Sequence, residues 1–185
     1  MFSLHRPSSD ELTQVVARQA DCELSYAEHG ATDAAMPAGY CHDHWEADLG
    51  SFDDATFDRL AAALSRWQVQ RGAGLTVYPA DAVRPGLTFA FCFRLSAVYV
   101  TAAARVVYVT SEPGRRGFAY GTLPQHPEQG EEAFHVVKDG SRIVFRVTAF
   151  SRPGHPLVRL GAPMGRLIQL RMNKAYLLAM RRAAA

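Results

Sequence analysis

The sequence predicts an α+β fold in which a curved antiparallel sheet wraps around one long C-terminal helix. Three observations carry that expectation. Between Leu75 and Ala149 apolar and polar residues alternate with period two, broken by turn signals. From Pro163 onward the pattern changes to a helical period. An antiparallel sheet with one apolar face must cover that face, and the terminal helix is the obvious cover.

The first helix is announced by Ser8 and Glu11 at capping-box spacing; Leu12, Val15 and Val16 follow as an apolar stripe that fades near Ala20. Tyr26, and then Tyr40 to Leu49, read as short strands between turn signals at His29-Gly30 and Pro37-Ala38-Gly39. Ser51 or Asp53 caps a second helix with acids in its first turn. Phe57, Leu60, Ala61, Leu64 and Trp67 fall on one face of it, and Gly72 and Gly74 end it.

Leu75 and Val77 start a short strand closed by Pro79. After the turn at Pro85-Gly86, the odd positions from Leu87 to Leu95 are apolar, with Phe89, Phe91 and Phe93 among them. Val98 to Thr110 is long and rich in β-branched residues, and Glu112 to Gly117 reads as a turn. Phe118 to Thr122 and Glu132 to Val137 are strands joined by LPQHPEQG. Asp139-Gly140 is a hairpin turn, and Ile143, Phe145, Val147 and Ala149 form the last strand. Ser151 to Pro156 reads as a stiff linker. In the terminal helix Pro163 fits the first turn. Met164, Leu167, Ile168, Arg171, Ala175 and Leu178 share one face; Arg166, Lys174, Arg181 and Arg182 make the rest basic. The whole, residues 1–185, reads as a single domain of helix-grip type, with a β-barrel flanked by helices as the alternative.

Composition narrows the function classes without choosing among them. Of the 185 residues 48% are hydrophobic and 21% charged, which excludes a disordered chain. A net charge of +2 is too balanced to imply nucleic acid as an obligatory partner. The three cysteines, Cys22, Cys41 and Cys92, include no C-x-x-C pair, so reduced thiols in a cytoplasmic protein are expected. The opening residues lack a secretory apolar core, and no run is long enough to span a membrane.

The segment RVVYVTSEPGRRGFAYGTLPQHPEQGEEAF, Arg105 to Phe134, resembles the family of domain of unknown function 1990, also called uncharacterised protein family 0548. The likeness continues from Phe145 to Met180, with weaker stretches at Tyr26 to Thr32, Pro37 to Tyr40 and Trp67 to Leu75. It implies a fold similar to the START and Bet v 1 group of lipophilic-ligand binders; it implies no cofactor. Where the resemblance leads one to expect a histidine after Trp67, Gln70 stands, and Ala103-Ala104 replace an expected Pro-Cys before Arg105.

Four groups of residues are candidates for chemistry. Tyr120, His126, Glu131 and Glu132 equip one short stretch for proton transfer near neutral pH. Strand alternation sends Glu131 and Glu132 to opposite faces, so only one of them faces a cavity. Arg105 interrupts an apolar strand that also carries Tyr108; it either pairs with a carboxylate such as Glu132 or fixes an acidic ligand. His42, His44 and Glu46 share one strand face, a set chemically plausible for zinc, but no second cluster completes a site, so no metal is expected. Phe89, Phe91, Phe93, Phe118, Phe134 and Phe145, with Phe150, supply core and the wall of an apolar ligand site.

The expected partner is therefore a small apolar molecule held between sheet and terminal helix. A cofactor-free cyclase, isomerase or hydrolase acting on a polyketide- or terpenoid-like substrate is the alternative, and a fully packed interaction protein the third. The basic terminal helix allows a weak contact with a membrane surface. Neither the oligomeric state nor the ligand's identity is written in the sequence.

Overall fold

The computed structural model of the chain describes residues 1–51, 53–154 and 162–185. Its elements are β1 (Phe2–Ser3), α1 (Ser9–Gln19), a 3-10 turn (Ala31–Asp33), β2 (Cys41–Ser51), α2 (Asp54–Ser65), α3 (Gln68–Gly72), β3 (Thr76–Tyr78), β4 (Thr88–Leu95), β5 (Val98–Glu112), β6 (Arg115–Thr122), β7 (Glu128–Asp139), β8 (Arg142–Pro153) and α4 (Ala162–Ala184). The strands pair antiparallel in the order β2-β8-β7-β6-β5-β4-β3, with β1 added to the free edge of β5. Strands β2 and β3 end the order, so the sheet is open and the barrel alternative falls. The arrangement is the helix grip expected from the sequence.

Register explains which residues face inward. One cross-strand row runs Asp43, Ala149, Glu132, Tyr120 and Val106 on the concave face. The neighbouring row runs Phe150, Glu131, Gly121 and Arg105 on the convex face. Because strand side chains alternate, every residue of one row is turned from the other.

The concave face has a solid half and a hollow half. In the solid half Trp67 packs 4.5 Å from Phe89 and 5.1 Å from Phe118, ring centre to ring centre. Phe57, Leu60 and Leu64 of α2 and Met180 of α4 complete this core with Phe134 and Phe145. On the convex face α1 lays Leu12 and Val15 against Ala90, Cys92 and Ala103. Cys92 is thus a small packed residue beneath a helix, on the side opposite the phenylalanines.

The helix starts follow their capping chemistry. Ser8 and Glu11 make the reciprocal capping box, and the Asp53 carboxylate accepts from the Thr56 amide at 2.8 Å. Several expectations need correction. Tyr26 belongs to no strand; its segment is irregular and packs across the convex face. The second helix breaks at Trp67, whose backbone is left-handed at φ 60°, so that the indole can turn into the core and donate to the Asp81 carbonyl. The turn after β5 is tighter than the Glu112–Gly117 expected, since Arg115 to Gly117 already lie in β6. Ser151 to Pro153 continue β8 rather than forming a linker; His155 and Pro156 lie outside the described residues.

The largest correction concerns α4. Its inward residues are Tyr176, Ala179 and Met180, with Asn173 also buried, whereas Leu167 and Leu178 are exposed and so is Arg171. The inward face lies more than a third of a turn from the apolar stripe, and it carries polar side chains where it meets the hollow half. Pro163 does lie in the helix's first turn; the side chain of Met164 lies outside the described residues. No helix among the described residues is long and apolar enough to cross a membrane.

Candidate functional site

The hollow half of the concave face leaves a cavity of about 500 Å³, open on one side to solvent, between the sheet and the first turns of α4. Its apolar wall is built by Leu75, Phe91, Phe93, Val100 and Ala102, with Phe2 of β1 beside them. Ile168 and Met172 face that wall from α4. Phe91 and Phe93 line the cavity. Phe89, Phe118, Phe134 and Phe145 do not: they are spent in the solid core against Trp67 and Tyr176.

The polar wall is organised by α4. Arg166, Gln169 and Asn173 fall at helical spacing, and each meets one acid of the sheet. Arg166 grips Asp43 of β2 with both terminal nitrogens, one of them at 2.7 Å. Gln169 donates to Glu128 of β7 at 2.7 Å and to the Ser151 hydroxyl at 2.8 Å. The Asn173 amide, oriented by its neighbours, donates to Glu132 Oε1 at 3.3 Å and accepts from Trp45 Nε1 at 3.1 Å. Tyr120 donates its phenolic proton to the other oxygen of Glu132.

Burial shifts the protonation of this wall. Loss of water raises the Glu132 carboxyl to about 7, against the opposing hydrogen bond from Tyr120. Loss of water likewise raises Glu128 to about 7, and the nearby Asp43 charge adds to it. Burial would raise Asp43 as well, but hydrogen bonds from Arg166 and Trp45 prevail and hold it below its usual value. Tyr120 and Tyr176 are raised well above the usual phenol range, first by burial and then by the Glu132 charge. His126 stands at the cavity with its ring 5.6 Å from Phe91; burial lowers it to about 4, so it is neutral at pH 7. A Glu128 main-chain amide lies 3.0 Å from its Nδ1.

Glu131 and Glu132 part as alternation requires. The Glu131 carboxylate turns to the convex face, where it accepts from the Tyr26 hydroxyl at 2.7 Å, the Gly30 amide at 2.7 Å and the Thr32 amide at 3.1 Å, and also from the Thr32 hydroxyl. It ties the irregular segment before β2 to the sheet. Gly121 makes this possible: a Cβ there would come within 2.2 Å of the Tyr26 hydroxyl. That close approach accounts for a glycine in the GFAYGT stretch.

Two expected ligand residues also lie on the convex side. Among the described residues Arg105 pairs with no carboxylate. It donates to the carbonyls of Gln19, Ala20 and Cys22 and to the Thr88 hydroxyl, closing the C-terminal end of α1, where the helix dipole favours a cation. Tyr108 follows a bulge in β5, bonds Thr32 at 2.9 Å and stacks on His135. His42, His44 and Glu46 are on the outward face of β2; His42 meets the Pro37 carbonyl and Glu46 pairs with Arg146. Gln70 is buried in α3 and does not border the cavity.

Sequence reasoning missed Asp43, Glu128, Gln169, Asn173 and Tyr176. Signals for some of them were present. Glu128 is in period-two phase with Glu132. Gln169, Asn173 and Tyr176 recur at helical spacing with Met172 beside them.

A family model described as domain of unknown function (DUF1990) matches residues 25–179. A UPF0548 protein of Deinococcus radiodurans is 32% identical, with 100% of this chain and 99% of the relative covered. Among solved structures, a hypothetical protein of Helicobacter pylori aligns with a TM-score of 0.57 at 11% identity, covering 88% of this chain and 96% of that one. Norcoclaurine synthase from Thalictrum flavum, in complex with dopamine and hydroxybenzaldehyde, aligns with a TM-score of 0.51 at 14% identity, covering 77% and 85%. Both structures share the fold alone with this chain. With the matched segment spanning the cavity, its polar wall and most of α4, the chain belongs to the DUF1990 family.

Proposed function

We propose that the protein binds a small, mainly apolar molecule in the cavity between the concave face and α4, and that residues 1–185 act as one domain in doing so. The carrying observation is the contrast within one apolar face: one half is packed solid and the other leaves about 500 Å³ open. A recess of that size with an aromatic and aliphatic wall and a few convergent polar groups is what a small-molecule site requires, and an occupant there removes the exposed wall from water.

Native mass spectrometry of freshly purified protein, followed by organic extraction, tests the reading. A stoichiometric apolar adduct is expected, and Ala102→Leu, which narrows the cavity from β5, should reduce its occupancy. A clean apo mass, with no thermal shift from any apolar compound, would favour a packed interaction module instead.

Glu132 supports a second reading, cofactor-free acid–base catalysis on a polyketide- or terpenoid-like molecule. A carboxyl near 7 beside a phenol on a cavity wall is suited to accept a proton from a bound substrate. A carrier keeps both affinity and behaviour in Tyr120→Phe and His126→Gln. An enzyme keeps affinity and loses turnover of the extracted compound.

A further inference from the structure

The distribution of charge around the cavity selects a ligand class. Four acids border it: Asp43, Glu128, Glu131 and Glu132. Two of them are satisfied. Glu131 is turned to the convex face and holds several donors there, and Asp43 is held in a two-pronged pair by Arg166. Among the described residues, Glu128 and Glu132 receive neutral donors alone, from Gln169, Asn173 and Tyr120. Arg166, the cation of the polar wall among the described residues, spends both terminal nitrogens on Asp43 and hydrogen-bonds neither glutamate, although its charge reaches Glu128. His126 is held neutral by burial. Among the described residues, then, the polar end presents two carboxyls with no cation hydrogen-bonded to them, while the cavity's other wall is aromatic and aliphatic.

We infer that the ligand is an amphiphilic amine, its protonated nitrogen held by Glu132 and Glu128 and its apolar body lying against Phe91 and Phe93. This rests on the binding reading above and deepens it. A buried carboxylate without a cation is unfavourable, and a ligand ammonium supplies the missing charge and two or three N–H donors at once. A neutral alcohol supplies one donor and leaves the acids to stay protonated. A carboxylate ligand adds a third like charge and is repelled.

The pH dependence follows from the surrounding groups. Facing Glu132 and Glu128 are Tyr120 on β6, Asp43 on β2, and Tyr176 and Arg166 on α4, with His126 in the preceding loop. Apart from the two glutamates, none of them changes charge between about pH 6 and about pH 8.5 on the directions given above. An alkyl amine keeps its proton throughout. Amine affinity therefore rises with pH as the two glutamates lose their protons, and alcohol affinity does not.

Matched sets test this, each comprising an amine, an alcohol and a carboxylate on the same body: phenethylamine, phenethyl alcohol and phenylacetate, with the corresponding indolyl and naphthyl sets. Calorimetric titration at about pH 8.5 should place the amine at least about tenfold tighter than its alcohol, with the carboxylate weakest. The gap should close toward about pH 5.5, where both acids are protonated. Glu132→Gln should cut the amine's advantage over its alcohol by most of that factor, and Glu128→Gln should do the same, with a cooperative thermal melt reporting that each variant is folded. Alcohols that bind as tightly as amines, or amine binding indifferent to pH and to both variants, would overturn the amine assignment and leave the cavity reading standing. If no member of any set binds, alcohols included, both readings fall.

Discussion

Glu131 and Glu132 are neighbours in one strand and opposites in environment. Glu131, on the convex face, accepts hydrogen bonds from two main-chain amides and two hydroxyls of the segment that crosses the sheet. Glu132, on the concave face, meets one phenol and one amide, and burial lifts it to about 7. The first carboxylate has more donors than it needs and holds the fold together. The second has fewer than a buried charge requires and waits for one. Glu131 is fully and Glu132 partly buried in the same strand, and what separates the structural carboxylate from the one on the cavity is the donor set each meets.

The sharpest way to break this contrast is to remove Glu131. Glu131→Ala strands buried donors of Tyr26, Gly30 and Thr32, and should cost about 4 kcal/mol in urea unfolding. If the loss is below about 1 kcal/mol, the convex carboxylate is not the anchor described here.

Glu132→Gln should act in the opposite direction. A carboxyl raised from its ordinary 4.5 to about 7 keeps its proton in the folded state, so the charged form destabilises the fold as pH rises through that window. The variant should be neutral below about pH 4.5 and more stable than the parent above about pH 7, by up to about 3 kcal/mol. Thermal melts across the range check the sign. Equal melting of parent and variant at alkaline pH would remove the contrast.

Arg105→Met tests the convex side at another point of the same cross-strand row. It frees three carbonyls at the end of α1 and should cost about 2 kcal/mol, with faster amide exchange confined to α1. Ligand occupancy should be unchanged. Lost binding with unchanged melting would return Arg105 to the ligand site. The smallest effect is expected from Leu178→Ser, on the exposed face of α4, which should change stability by less than about 0.5 kcal/mol. A large loss would mean that the inward face of the helix is the one its apolar stripe suggests.

Much of the fold was legible because its signals are local. The capping box at Ser8, the alternation from Phe89 to Phe93, and the Asp139-Gly140 hairpin each depend on residues close in sequence. Alternation also separated Glu131 from Glu132 before any contact was known. The cavity's polar wall was less legible. In β2 the outward set His42, His44 and Glu46 carries the stronger sequence signal, while the inward Asp43 sits between the two histidines. On α4 the apolar stripe pointed to Leu167 and Leu178, yet the helix buries Asn173 and Tyr176 because the hollow half of the sheet offers them acids to meet. Hydrophobic periodicity fails where an inward face is polar by design of a site.

By itself, then, the sequence determined the order of most of the elements, the antiparallel meander, and that two adjacent glutamates could not share a face. Those are consequences of backbone periodicity, capping and turn chemistry, which act over a few residues. Only the tertiary structure decided that Glu132 is the glutamate on the cavity face, that Arg105 closes a helix rather than an ion pair, that Phe89, Phe118, Phe134 and Phe145 fill a core while Phe91 and Phe93 line a cavity, and that Arg166, Gln169 and Asn173 each meet an acid from a distant strand. Those outcomes depend on how α4 is rotated over the sheet and how far α2 and α3 fill beneath it. Packing between elements remote in sequence fixes both.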